Sequence, residues 1–356
     1  MTNVIPPFAY GHDGALLVSS DGPELLVCAG PDEGPMWLRT AKATIVGVGT
    51  TEKAVVTVDE KGTLLACERD TGEVIRELDL GIEPHSLCSS RAGVVAVVGP
   101  GAVVLVAADG ATSRLEIAGA AAAALDPEGK RIGVGTEQGE FHVFDVATAK
   151  PLGMGRSSSP FKGVSWNVCG FFIATTGEGV VKVTADGGKI EHLINTDDLS
   201  LSSVSCSEDG SLCALRVGTT KACVFDLLDY QFQGVAQYER TVGQVDFGPG
   251  GWLGIGLDLG DGNKIDVLSN AVCRTDPHPG RKRNSWVLLA DFKTEQIQRV
   301  MDRVLHGTPV AAGPRPKGTS ANATPPMAPA SSGSSMIFAV LGLVLAALVL
   351  LLLLLK

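Results

Sequence analysis

The sequence predicts an all-β protein, a seven-bladed β-propeller of four-stranded antiparallel blades, with one C-terminal transmembrane α-helix. Three observations support this prediction. A turn recurs about every forty residues, short runs rich in valine and isoleucine follow each turn, and twenty consecutive apolar residues stand near the end of the 356-residue chain. The repeat predicts the sheets, and the apolar run predicts the helix.

The repeat is marked by a turn that follows a short apolar run. Its seven copies end at Gly14, Lys53, Gly93, Gly129, Gly170, Gly210 and Gly251. Successive end positions differ by 39, 40, 36, 41, 40 and 41 residues, which indicates seven copies of one unit. The predicted units cover residues 3–42, 43–83, 84–119, 120–159, 160–200, 201–240 and 241–302.

Each unit contains the same succession of strands and turns. In the fourth unit a strand at 131–135 is followed by the turn Glu137-Gln138-Gly139 and by a strand at 141–145. Such runs, separated by glycine and acidic residues, are typical of short antiparallel strands. One four-stranded sheet cannot bury both of its faces. Seven sheets arranged around an axis bury each face against a neighbour, and this arrangement is a β-propeller.

Several of these turns resemble those of the WD40-like propeller family. The pairs Phe144-Asp145 and Phe225-Asp226 stand where that family often has Trp-Asp, and Asp70-Thr71-Gly72 is similar to its third hairpin turn. The Gly-His pair that usually opens a unit is absent, apart from Gly11-His12 in a different position. The resemblance covers about 300 residues and implies a propeller fold. The buried His–Asp–Ser/Thr–Trp hydrogen-bond network of the family is not carried over.

The seventh unit departs from the pattern. Its second strand at 252–257 and its third at 286–291 are expected to be separated by an insertion at 260–285. Residues 294–306 fit either a fourth strand as far as about Val300 or an amphipathic helix. The helix would place on one face Ile297, Val300, Met301, Val304 and Leu305. The strand is favoured because it gives the seventh unit four strands, and the first strand of unit one then follows it in the ring as in every other unit.

The insertion holds the one local basic cluster, which consists of Arg274, Arg281, Lys282 and Arg283. A turn between the second and third strands lies on the face where the fourth strand ends, and the chain leaves for the predicted helix from that face. The cluster is therefore a candidate contact for anionic lipid or for a protein partner. The alternative is a solvated loop, balanced by Asp261, Asp266 and Asp276.

Residues 336–355 are long enough to cross the hydrocarbon core of a bilayer as a helix, at about 20 residues for about 30 Å. The anchor includes Met336, Ile337, Phe338, Leu341 and Leu355. The N-terminus lacks the basic and apolar regions of a secretory signal, so the propeller is expected to face the cytoplasm, most simply at a bacterial inner membrane. Residues 303–335 are expected to form a juxtamembrane segment and a disordered linker rich in Pro, Ala, Ser and Gly.

Charge and composition narrow the functional classes. The chain carries −10, and Arg315, Lys317 and Lys356 contribute +3, so residues 1–306 stand at −13, which argues against a nucleic-acid binder. Six histidines show no HxH or HExxH spacing, and eight cysteines show no CxxC pair. The cysteines are interpreted as reduced core residues. No catalytic residue, metal site, cofactor or small-molecule ligand is indicated.

The function expected from this pattern is a non-catalytic scaffold that recruits a protein partner to a membrane. This expectation is an analogy at the level of the fold. One alternative is a membrane-tethered hydrolase or lyase with convergent Asp, Glu or His side chains in the central channel. Another is a regulator of a small GTPase, because the architecture is similar to that of membrane-anchored propeller exchange factors.

Overall fold

The computed structural model describes residues 7–11, 16–28, 35–195, 200–228, 231–248, 252–258, 263–269 and 287–288. All of them belong to one compact unit, Met1–Ala311. The second unit, Ala312–Lys356, lies outside the described residues, as do the predicted linker, the segment 294–306 and the predicted transmembrane helix. The described part of the chain contains no helix long and apolar enough to cross a membrane.

The described residues form seven sheets, numbered here in chain order, and each is built from four consecutive strands. Sheets 1 to 4 contain β1 (Phe8–Tyr10), β2 (Leu17–Asp21), β3 (Glu24–Cys28), β4 (Pro35–Thr40), β5 (Ile45–Thr50), β6 (Ala54–Asp59), β7 (Thr63–Glu68), β8 (Val74–Asp79), β9 (Ser86–Ser89), β10 (Val95–Gly99), β11 (Ala102–Val106), β12 (Thr112–Glu116), β13 (Ala120–Leu125), β14 (Arg131–Thr136), β15 (Glu140–Asp145) and β16 (Lys150–Arg156). Sheets 5 to 7 contain β17 (Phe161–Asn167), β18 (Phe171–Thr176), β19 (Gly179–Thr184), β20 (Ile190–Asn195), β21 (Leu201–Cys206), β22 (Leu212–Val217), β23 (Lys221–Asp226), β24 (Gln231–Gln237), β25 (Thr241–Gly248), β26 (Trp252–Asp258), β27 (Asn263–Ser269) and β28 (Val287–Leu288).

Neighbouring strands within each sheet are antiparallel and follow the order of the chain. The fold is therefore an all-β propeller of four-stranded antiparallel blades, as the repeat predicted. Six sheets are full blades, whereas the fourth strand of sheet 7 is the two-residue β28. The prediction of seven full blades is corrected to six full blades and one sheet with a minimal outer strand.

The first strand of each sheet lies innermost. Each of these strands contacts the first strand of the next sheet, and β25 also contacts β1. Two faces follow from this arrangement. The side of the propeller that carries the turns from first to second strands and from third to fourth strands is called the first face. The second face carries the turns joining second to third strands and the connections between sheets.

Apolar side chains fill the space between neighbouring sheets, because each sheet alone would leave both faces open to water. Between sheets 4 and 5, the ring of Phe141 lies 5.5 Å from that of Phe172 and 5.3 Å from that of Phe161. All three side chains are fully buried. Gly133 makes room for this cluster, since a Cβ atom there would lie 2.8 Å from both Phe141 and Phe172.

The predicted insertion at 260–285 is wrong, because it contains the third strand of sheet 7. β27 pairs with β26 along most of its length, from Asn263 opposite Asp258 to Leu268 opposite Leu253. Its sequence alternates polar and apolar residues from Lys264 to Val267, which suits a strand, but the glycine- and aspartate-rich residues before it resemble a loop. The segment predicted as the third strand, 286–291, supplies the fourth strand instead.

This correction changes where the basic cluster is anchored. The long connection now joins the third strand to the fourth, and its two ends pair as Ser269 and Val287. Connections of this kind lie on the first face, opposite the face where a fourth strand ends. The predicted anchor points on the face from which the chain leaves for the helix are therefore replaced by anchor points on the opposite face. The cluster itself lies outside the described residues.

Candidate interaction surface

Hydrogen bonds between inner strands join the sheets around the axis. Thr50 Oγ1 in sheet 2 donates to the Tyr10 carbonyl oxygen in sheet 1 at 2.7 Å. Ser89 Oγ in sheet 3 donates to the Thr50 carbonyl oxygen at 2.8 Å. These short polar side chains satisfy backbone groups that a strand at the edge of a sheet leaves unpaired. They hold neighbouring blades in a fixed relation.

Sheets 7 and 1 are joined by a reciprocal pair of bonds from one glutamine. Gln244 Nε2 donates to the Phe8 carbonyl oxygen at 2.8 Å, and the Phe8 N–H donates to Gln244 Oε1 at 3.3 Å. Phe8 itself is fully buried. A Cβ atom at Gly254 would lie 2.5 Å from the Phe8 ring, so the glycine in β26 permits this close packing.

Asp246 connects three sheets at the same junction. Ser205 Oγ of sheet 6 donates to Asp246 Oδ1 at 2.7 Å, and the carboxylate also accepts backbone N–H bonds from Tyr10 and Phe247. Burial raises the pKa of Asp246 to about 6, and these hydrogen bonds act in the opposite direction. Asp246 is the one carboxylate on the described inner strands, which carry no histidine. The convergent acidic and histidine side chains that the enzyme interpretation requires are not present in those strands.

The turns of the first face also interlock. Asn167 Nδ2 of sheet 5 donates to the Gly210 carbonyl oxygen of sheet 6 at 2.9 Å. The Ala92 N–H of sheet 3 donates to the Pro127 carbonyl oxygen of sheet 4 at 3.2 Å. Turns on this face are therefore hydrogen-bonded to each other across the boundary between sheets 3 and 4 and across that between sheets 5 and 6.

Most of the exposed large apolar side chains belong to this face. Among the described residues there are six, namely Val74, Ile75, Leu152, Met154, Val168 and Leu228. All but Met154 lie in a first-face turn or within the first three residues of the strand that follows one. Val168 is 58% exposed and Leu228 is 68% exposed. A face that presents several large apolar side chains to solvent is a candidate binding surface.

Two of these apolar side chains lie at β-bulges in outer strands. The register between third and fourth strands skips Ile75 in sheet 2 and Leu152 in sheet 4. A skip of this kind also falls at Met36 in sheet 1, at Leu193 in sheet 5 and at Gln233 in sheet 6. Bulges twist an outer strand and hinder the pairing of another strand along it. The outer edges of these five blades are thus poorer sites for a partner strand than the face beside them.

A groove lies between sheets 4 and 5 on the first face. Its volume is about 420 Å³, and it is lined by Arg131, Leu152, Thr184, Ala185 and Asp186. A hydrogen bond from the Thr184 hydroxyl and one from the Gly188 N–H lower the pKa of Asp186, and Arg131 adds to this effect. The groove therefore combines an exposed leucine with a carboxylate and a guanidinium group. A short peptide with an apolar side chain beside a charged one fits this chemistry.

The residues that suggested the WD40-like resemblance stabilise turns on the first face. The Asp145 carboxylate accepts bonds from the Thr148 hydroxyl at 2.6 Å and from its N–H at 2.8 Å, and these bonds lower the pKa of Asp145. Asp226 accepts the N–H of Leu228 at 2.8 Å and so fixes the turn that exposes this leucine.

The turn Asp70-Thr71-Gly72 is contacted by a side chain of the preceding blade. Trp37 Nε1 donates to the Arg69 carbonyl oxygen at 2.8 Å, and the indole covers Gly72, whose φ is +72°. A tryptophan of one blade thus holds the turn of the next.

All of the predicted site residues lie outside the described residues, so their placement stays a prediction. They are Arg274, Arg281, Lys282 and Arg283, together with Met336, Ile337, Phe338, Leu341 and Leu355. Within the described residues, no group of three or more His, Cys, Asp or Glu side chains could hold a metal ion. The sequence reasoning missed the exposed apolar turns, and an uncharged turn such as Asn167-Val168-Cys169-Gly170 was the one available signal.

Comparisons with known proteins identify the fold. No family model matches the chain, and no curated protein matches it. Among solved structures, the chain is similar to the β-propeller domain of Cps50 (Swd1) from Myceliophteria thermophila, with a TM-score of 0.66 and 12% identity. The match covers 76% of this chain and 98% of that domain. It confirms the β-propeller fold expected from the WD40-like resemblance. Matches to 1747 chains of solved structures indicate a widely shared fold, which by itself assigns no activity.

Proposed function

We propose that this protein is a non-catalytic scaffold that binds a protein partner on the first face of its propeller and is tethered to a membrane through residues 336–355. One observation carries the proposal, namely that five of the six exposed large apolar side chains in the described residues belong to that face. Large apolar side chains that become buried when a partner binds are the anchors of many protein interfaces.

The rigidity of the face supports this role. Some of its turns are hydrogen-bonded to a turn of the next blade, as Asn167 is to Gly210 and Ala92 is to Pro127. A surface that does not have to become ordered on binding loses less conformational entropy when a partner docks. Similarity to a known propeller domain is consistent with the same role, at the level of fold alone.

The proposal includes a ring of seven blades. Supporting this, the contacts between inner strands run from sheet to sheet and return from β25 to β1. It also includes the basic residues Arg274, Arg281, Lys282 and Arg283 as a partner contact. The connection that carries them starts and ends on the first face, beside the candidate surface.

The proposed membrane tether is supported by the amino-acid composition of the C-terminal residues. Residues 336–355 are twenty apolar residues in succession, a length that crosses a bilayer as a helix, and the chain before them is rich in Pro, Ala, Ser and Gly. Fixing a binding face at a membrane raises its effective concentration towards partners at that surface. The proposal puts the propeller on the cytoplasmic side, with Arg315 and Lys317 next to the membrane.

The experiment compares proximity labelling from the intact protein with labelling from two variants. Val168→Asp combined with Leu228→Asp is expected to lose a protein neighbour that the wild type labels, because charged side chains disrupt an apolar contact. Met154→Asp is the matched control, since Met154 is similarly exposed on an outer strand away from the turns. If the double variant still labels that protein neighbour, the proposed binding face is refuted. Release from membranes on deleting 336–356 tests the tether separately, and an unchanged membrane fraction would refute it.

A further inference from the structure

Three cysteines lie at the first-face ends of sheets 5 and 6, which are neighbours in the ring. Cys169 is exposed in the turn between β17 and β18. Cys206 is half-buried at the end of β21, and Cys213 is fully buried in β22. They form a series that leads from solvent into the interface between the two blades. We call these residues the thiol cluster.

The register places Cys206 and Cys213 directly opposite each other. The next pair towards the turn is hydrogen-bonded, because the Ser207 N–H donates to the Leu212 carbonyl oxygen at 2.9 Å. Pairs alternate along an antiparallel ladder, so Cys206 and Cys213 form a non-hydrogen-bonded pair, in which side chains approach most closely. The Cys206 N–H accordingly points away from β22 and donates to Ser165 Oγ of sheet 5 at 3.1 Å.

Asn167 connects Cys206 to the exposed Cys169. Its side chain is fully buried, and its Oδ1 accepts the Cys169 N–H at 2.9 Å. The side chains of Asn167 and Ser165 also hydrogen-bond to the sulfur of Cys206. One asparagine therefore contacts the backbone of one cysteine and the thiol of the other. The turn that carries Cys169 is held against sheet 6 by the bond from Asn167 to Gly210.

We propose that Cys169 and Cys206 are an oxidisable thiol pair, which a hydroperoxide converts to a disulfide that joins sheets 5 and 6. The inference stands independently of partner binding. It assigns a modification site to a turn whose neighbouring residue, Val168, belongs to the candidate interaction surface.

The chemistry balances in two steps with hydrogen peroxide as the oxidant. The sulfur of Cys169 attacks one peroxide oxygen, the O–O bond breaks, and the products are a sulfenic acid and one water. The sulfur of Cys206 then attacks the sulfenic sulfur, the S–O bond breaks, and the leaving hydroxide takes the proton of the Cys206 thiol as a second water. Two thiols are oxidised by two electrons in total, and one peroxide is reduced.

The surroundings assign different roles to the two sulfurs. Exposure makes Cys169 the first site that a hydroperoxide reaches. Burial raises the pKa of Cys206 to about 11, so its thiol stays protonated and is protected from direct oxidation. Hydrogen bonds from Ser165 and Asn167 favour its thiolate at the moment of attack. Burial raises the pKa of Cys213 well above its ordinary value, and its side chain is fully buried, so it stays a core thiol.

The test uses the purified full-length protein in detergent, treated with hydrogen peroxide and then with an alkylating agent. Trypsin places Cys169 in peptide 163–182, and cleavage by Glu-C after Glu208 separates Cys206 from Cys213. Mass spectrometry is expected to find the Cys169–Cys206 linkage. Cys169→Ser, in an exposed turn, and Cys206→Ser should each reduce it at least tenfold. Dimedone should label the Cys169 sulfenic acid in the Cys206→Ser variant.

Cys88→Ser, which removes a thiol in another blade, is the matched control and should keep the linkage. Circular dichroism verifies that each variant is folded. A Cys206–Cys213 linkage, an intermolecular Cys169–Cys169 linkage, or Cys169 sulfinic acid without any linkage would overturn the proposal.

Discussion

Replacing Asp246 by asparagine tests how the ring is joined. In the folded protein the pKa of this carboxyl is raised by burial to about 6, from an ordinary value of 3.8. The folded state therefore binds the proton more tightly than the unfolded state. The contribution of Asp246 to the free energy of unfolding is therefore largest below about pH 4. It declines as the pH rises to about 6 and is constant above that pH.

The size of this effect follows from the shift in pKa. A shift of about 2 units corresponds to about 3 kcal/mol between the two pH limits, at about 1.36 kcal/mol per unit. In a chain of this size that amounts to roughly 5 °C in Tm. Asp246→Asn cannot titrate, but its amide oxygen can still accept a bond from Ser205 Oγ or from the N–H of Tyr10 or Phe247. The substitution therefore removes the titration while it keeps most of the shape and polarity of the side chain.

The assay is thermal or urea unfolding of the wild type and of Asp246→Asn at several pH values between about 4 and 7, the range that brackets the shifted pKa. We expect the variant to be less stable than the wild type at the acidic end and to recover most of that deficit at the neutral end. Asp145→Asn is the control, because hydrogen bonds from Thr148 lower the pKa of Asp145 below its ordinary value of 3.8. Its contribution to stability is therefore constant between about pH 4 and 7, and its pH profile should run parallel to that of the wild type. Parallel pH profiles for the wild type and Asp246→Asn would refute the assignment of Asp246 as a buried titrating group.

Two substitutions probe other joints of the ring. Gln244→Ala should lower the free energy of unfolding by about 1–3 kcal/mol, because it leaves the Phe8 N–H and carbonyl without their partner at the junction of sheets 7 and 1. Urea unfolding measures this loss, and the exposed Gln138→Ala should cost far less; equal losses would contradict a joining role. Gly72→Ala should be destabilising by more than about 1 kcal/mol, since its φ is +72° and its Cβ would lie 2.6 Å from Trp37. Gly81→Ala has a similar φ of +61° but open space around it, so a smaller fall in its Tm isolates the Trp37 contact.

The repeating pattern made most of the fold predictable. Valine and isoleucine at strand positions, with glycine and acidic residues between them, set the boundaries of short strands in every unit. β27 escaped prediction because Lys264 and Asp266 give it the polarity of a loop, and only its pairing with β26 reveals it as a strand. Because β27 is the third strand of sheet 7, the connection that carries the basic cluster starts and ends on the first face, opposite the predicted one.

The candidate surface was far less predictable, because it depends on relations between distant residues. Phe8 and Gln244 are separated by 236 positions, and nothing local connects them. Ile75 and Leu152 lie where the ladder skips a residue, and a skip in register leaves no local signature. Cys169 was expected in the core with the other cysteines, yet it lies in an exposed turn whose shape is set by Asn167.

Every described sheet is made from four strands that follow one another directly, and no strand is exchanged between sheets. Each blade can therefore be completed while it emerges from the ribosome, without waiting for a segment still to be synthesised. Only the meeting of β25 with β1 must wait for the rest of the chain. Nascent intermediates would then be open arcs with a growing number of finished blades, and their vulnerable part would be the two bare terminal faces.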